Sequence, residues 1–70
     1  MKILAERLCA LRDEQNISRE KVAAAVGIAA RTYQRYENDE RDPDAPVIVA
    51  LADLYKVSTD YLLGRKDSRD

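Results

Sequence analysis

The stretch VGIAARTYQRYEND, residues 26–39, has the punctuation of two helices meeting at a glycine. Gly27 reaches the left-handed backbone that ends a helix more readily than any residue with a side chain. The segment after it, Ala30 to Glu37, puts Tyr33 and Tyr36 on one side and Ala30, Arg31, Gln34 and Arg35 on the other. The spacing predicts a helix with its tyrosines inward and its arginines outward. Two of its features are costly. Ala29 and Ala30 stand where a Ser, Thr, Asp or Asn would cap the first turn, a loss of roughly 1 kcal/mol. Arg31 precedes Arg35 by one turn with no acid on the same stripe, and like charges so spaced cost an isolated helix about 0.2–0.5 kcal/mol.

Working outward, Leu4, Leu8 and Leu11 give one apolar stripe and predict a first helix from Lys2 to Gln15, ended by Asn16 and Ile17. Ser18 is a good N-cap for a second helix, Glu20 suits its positive end, and Val22, Ala23 and Val26 form its apolar face. Downstream, NDERDPDAP is a polar, proline-marked loop. Asp44 caps a strongly apolar fourth helix containing Val47, Ile48, Leu51, Ala52, Leu54 and Tyr55. Ser58 caps a brief fifth with Tyr61, Leu62 and Leu63, closed by Gly64. Residues 1–64 thus read as one all-α domain of five helices, and RKDSRD, residues 65–70, as a C-terminal tail expected to fray.

Composition agrees. The 70 residues suffice for one domain, and apolar (46%) and charged (36%) residues are balanced as in a folded chain, with Ala, Leu, Glu, Arg and Lys favouring helix. No apolar run nears the roughly 18 residues of a membrane span, and the charged, leucine-bearing N-terminus is unlike a signal peptide, so a cytoplasmic protein with no membrane partner is expected. The single Cys9 cannot close an intramolecular disulfide and reads as a small filler of the first helix. Without histidine, and with carboxylates scattered over turns, nothing suggests a metal, a cofactor or enzyme chemistry.

The net charge of −1 hides an asymmetry. Arg19, Lys21, Arg31 and Arg35 face one acid, Glu20, in the span 19–35. From there to residue 44, Glu37, Asp39, Glu40, Asp42 and Asp44 stand against Arg41 alone. A basic patch beside an acidic one orients a molecule on a polyanion better than uniform charge does.

Two short helices joined by a glycine-containing turn form a helix-turn-helix unit, whose second helix enters the DNA major groove. Arginines on an exposed helix are also compatible with mere solvation, and the tyrosines opposite them read as core and not as a stacking platform for single strands. The residues resemble more than the unit. SREKVAAAVGIAARTYQRYEN, then RDP, then VIVALADLYKVSTDYLLG, are similar to the lambda-repressor/Cro-like (Xre-type) helix-turn-helix family. The similarity runs from Leu4 to Gly64 and rests on Ala23, Gly27, the Glu37-Asn38 pair, Pro43 and the closing Leu62-Leu63-Gly64.

The resemblance implies a compact five-helix domain that binds double-stranded DNA sequence-specifically and regulates transcription, as a repressor. It places Ala30, Arg31, Gln34 and Arg35 on the base-reading side and Ser18, Arg19, Thr32 and Asn38 against the DNA backbone. It also pairs Arg12 with Glu37 across helices one and three. An arginine can take both acceptors of a guanine edge, worth about 1–3 kcal/mol of discrimination, while an alanine leaves room for a thymine methyl. A homodimer on a palindromic operator would find its contact in the Tyr55–Leu62 region, since a chain this short has few other apolar surfaces. The chain departs from the family where Arg19 replaces the usual Gln and Asp39-Glu40 the frequent Gly-Lys, and an acidic loop near the backbone weakens the electrostatic attraction. That loop and the pI of 5.4 also suit a second reading, a protein-binding module of the same fold, antitoxin-like or coactivator-like.

Overall fold

Local punctuation places the helices. A computed structural model describes residues 1–70 as five helices without strands: α1 (Lys2–Gln15), α2 (Arg19–Val26), α3 (Ala30–Glu37), α4 (Ala45–Tyr55) and α5 (Thr59–Leu62). The three expected caps form. Ser18 Oγ accepts from the Lys21 amide at 3.1 Å, Asp44 Oδ1 from Val47 at 3.2 Å, and Ser58 Oγ from Tyr61 at 3.0 Å, each satisfying an amide that the first turn leaves without a helical partner. Gly27 ends α2 with φ at 78°, as its position predicts. Asn16 and Lys56 end α1 and α4 in the same left-handed region, a conformation that costs a residue with a side chain roughly 1–2 kcal/mol. Asn tolerates it; Lys56 has no such excuse.

The predicted stripes meet in one core. Leu4, Leu8 and Leu11 of α1, Val22 and Ala23 of α2, Tyr33 and Tyr36 of α3, Leu51, Ala52 and Tyr55 of α4, and Leu62 of α5 are all buried in a single cluster. Burying a tyrosine also buries a hydroxyl, which needs a partner. Tyr33 and Tyr55 supply each other, hydroxyl to hydroxyl at 2.7 Å, and burial pushes the pKa of both upward. This joins α3 to α4.

Two segments pack more closely than their sequence suggests. Tyr55 and Leu62, the ends of the segment expected to hold a dimer contact, are 3% and 0% exposed and belong to the core, because their helices turn those faces inward. The tail is exposed, yet it is tied down. Arg69 holds Glu14 of α1 through Nη1–Oε1 at 2.8 Å and a second bond between Nη2 and Oε2, its carbonyl accepts from the Ser58 amide at 2.8 Å, and Arg7 Nη1 donates to the Lys66 carbonyl at 2.7 Å. The guanidinium groups of Arg7 and Arg69 lie 4.1 and 5.6 Å from the centroid of the Tyr61 ring. Cation–ring attraction and paired charge therefore hold a segment whose composition alone reads as loose. No helix of the chain is long and apolar enough to cross a membrane.

Candidate nucleic-acid interface

The apolar side of α3 is committed to the core, so its other side is free to face a partner. Tyr33 and Tyr36 are buried, while Arg31, Gln34 and Arg35 are exposed. With Glu40 from the following loop, these three line an open, wholly polar notch of about 230 Å³. Neither Arg31 nor Arg35 lies within 4.0 Å of a carboxylate oxygen, since every ion pair of the chain involves other cations. Glu40 shares the notch, but it accepts from Asn38 Nδ2 at 3.3 Å. Two guanidinium groups thus stand one turn apart without a partner. The start of α3 is equally bare, because Ala29 offers its first-turn amides no side-chain cap, and a helix N-terminus carries about half a positive charge.

The other expected residues are placed as follows. Ala30 is half-buried against the core and does not line the notch. Thr32 is half-buried, and Asn38 is exposed at the C-cap of α3. Ser18 is exposed, its oxygen engaged as the cap of α2.

Arg19 is the surprise. Its Nε donates to Glu37 Oε1 at 2.9 Å. Glu37 ends α3 with no exposed side-chain surface, and Arg12 grips it as the resemblance implied, Nε on Oε2 at 2.6 Å and Nη2 on Oε1 at 3.2 Å. Burial alone would push the Glu37 carboxyl up, but the Arg12 guanidinium, the Tyr33 hydroxyl and the Arg19 guanidinium together outweigh it and hold its pKa below the usual carboxylate value. One carboxylate therefore ties α1, α2 and α3 together. Sequence reading missed both this third member and Glu40 in the notch. The replacement of the usual Gln by Arg19 was the available signal for the first; for the second, only the shortness of the turn after α3 would have shown it.

Cys9 donates weakly to the Glu37 carbonyl at 3.7 Å, beside a shallow groove between α1 and the end of α3, and burial pushes its thiol pKa up. It is a filler there, as its position predicts.

A Helix-turn-helix family model matches residues 10–62, a span that contains α2, α3, the notch and the Arg12–Glu37–Arg19 cluster. The chain belongs to that family, in keeping with the Xre-type motifs in its sequence. It is 38% identical over 64 residues to the HTH-type transcriptional regulator ImmR of Bacillus subtilis (strain 168), covering 91% of this chain and 50% of the relative. It is 40% identical over 65 residues to the uncharacterized HTH-type transcriptional regulator YobD of the same organism, covering 93% and 58%. The chain thus spans about half the length of the curated relatives it matches. Its fold is also that of the P22 c2 repressor in a crystal structure with synthetic operator 9T, with a TM-score of 0.83 at 26% identity over 89% of this chain and 94% of that one.

Proposed function

We propose that this chain is a sequence-specific double-stranded DNA-binding regulator of transcription, acting as a repressor, that reads the major groove with α3 as a homodimer on a palindromic operator. The unpaired state of Arg31 and Arg35 carries the reading. Like charges one turn apart with no acid bonded to either are relieved by the paired acceptors of guanine edges or by phosphates, and Gln34 between them adds an adenine-compatible amide. Ala30 leaves room for a thymine methyl, and Ser18, Arg19, Thr32 and Asn38 meet the sugar–phosphate backbone. The operator complex of the P22 c2 repressor supports the docking by analogy of fold. The acidic residues after α3 moderate the affinity, so two copies are needed. With Tyr55 and Leu62 inside the core, their contact falls to residues 56–61 between them.

Selection of bound sequences from random duplex DNA at physiological salt tests this. A two-fold symmetric sequence with half-sites about 34 Å apart is expected. The logarithm of the binding constant should fall with the logarithm of salt at about −0.9 per phosphate neutralised. A chain that favours no duplex over a heparin-like polyanion is not this regulator, and the protein-binding reading, which the acidic loop suits, would replace it.

A further inference from the structure

Glu37 serves two arginines, of which Arg12 has a second acid besides, Asp13 Oδ1 at 3.7 Å, and the fold decides which guanidinium keeps an end to offer. Arg12 spends Nε and Nη2 on Glu37 and Nη1 on the Ile17 carbonyl at 3.1 Å, and its side chain is only 17% exposed. Arg19 spends Nε alone, and its side chain is 41% exposed. Its two Nη groups have no partner in the chain. They form the end of a planar fork that matches two oxygens of a phosphate. The unspent guanidinium end therefore emerges at Arg19, the first residue of α2, where the helix end itself favours an anion.

We infer that Glu37 is a positioning residue for a phosphate contact: by holding Arg19 Nε, it presents the Nη fork, already oriented, to one phosphate of a duplex backbone. The inference rests on the DNA reading above and goes beyond it. A free arginine loses side-chain freedom when it binds, whereas here that loss is largely taken on folding. Glu37 is also the last residue of α3, so the same carboxylate fixes the backbone contact relative to Arg31 and Arg35. A lysine could not substitute, because its single ammonium group can sit on Glu37 or on the phosphate and has no rigid fork joining the two.

The test compares the full chain with Arg19→Lys and Arg19→Gln, titrated against the duplex that the wild type selects, over a range of salt, with thermal unfolding of each followed alongside. Neither substitution strands Glu37, which keeps Arg12. Arg19→Gln should bind about tenfold more weakly with a salt slope shallower by about 0.9. Arg19→Lys should bind about five- to tenfold more weakly although it keeps the charge and most of the slope. In the free chain, the Arg19 Nε–H should exchange with solvent far more slowly than that of an unbonded surface arginine. Wild-type affinity in Arg19→Lys, or a rapidly exchanging Nε–H, overturns the positioning role. Wild-type affinity in Arg19→Gln removes the phosphate contact while leaving base reading by α3 intact. A wild type that selects no duplex refutes the DNA reading itself.

Discussion

Arg12 and Glu37, 25 residues apart in the chain, meet through hydrogen bonds of 2.6 and 3.2 Å that join the last turn of α1 to the end of α3. The contact matters because one partner has no exposed side-chain surface. A buried charge stripped of its partner costs about 3–5 kcal/mol, a large part of the roughly 5–15 kcal/mol that holds a small domain folded.

Acid should undo this contact. The folded-state pKa of Glu37 lies below its ordinary value of 4.5, so its contribution to stability is present in full above that pH and is lost as the pH falls through the depressed value. Glu37→Ala leaves the mostly buried Arg12 without its main partner and should lower stability at neutral pH by about 3 kcal/mol, the low end of that range, and weaken the acid dependence below pH 4.5. Urea unfolding at a series of pH values measures both; parallel acid limbs in the two chains would place the dependence on other carboxylates.

Arg31→Ala and Arg35→Ala should each relax the preference for one base of the selected sequence, at a cost of about 1–3 kcal/mol against the wild-type site and little against random duplex. Competitive titration with single-base variants of the site reads this out. Equal losses on every sequence would reduce both residues to phosphate contacts.

Glu40 shares a notch with two guanidinium groups that favour an anion, so its charge should weaken binding to any duplex and suppress random ones most, where no guanine edge compensates. Glu40→Gln should therefore raise affinity for random DNA by more than it raises affinity for the selected site, and the ratio of the two should fall. An unchanged ratio would make Glu40 a general repulsive charge only.

Ala29→Ser should stabilise the chain by about 1 kcal/mol by capping α3, whose first turn has no side-chain partner. For a domain of this size that is a rise in melting temperature of about 4–8 °C. Calorimetry decides it; no rise would mean that the extended backbone of Ala29 cannot bring the hydroxyl to the amides.

Caps and stripes were legible in the sequence because they are local. Ser18, Asp44 and Ser58 bond amides three residues ahead, Gly27 acts on its own backbone, and Tyr33 and Tyr36 share a face through helix geometry alone. Arg12–Glu37 was reachable only through family resemblance. What escaped depends on where distant elements come to rest. Arg19 reaches Glu37 across 18 residues, Arg69 reaches Glu14 across 55, and Tyr55 and Leu62 read equally well as surface or core until their neighbours are in place. In the sequence Glu40 is one of a run of acids, and only the turn after α3 brings it beside the arginines.

The hydroxyl contact between Tyr33 and Tyr55 has a further consequence for how such a molecule would sit on its target. Tied from behind to α4, the exposed helix would resist rolling or sliding to improve an imperfect fit. On the proposed function, adaptation would then pass to the other side of the encounter, with the duplex twisting or narrowing to meet the helix. Stiffness differs between base steps, so bases beyond the reach of any side chain would still be sorted by how cheaply they deform.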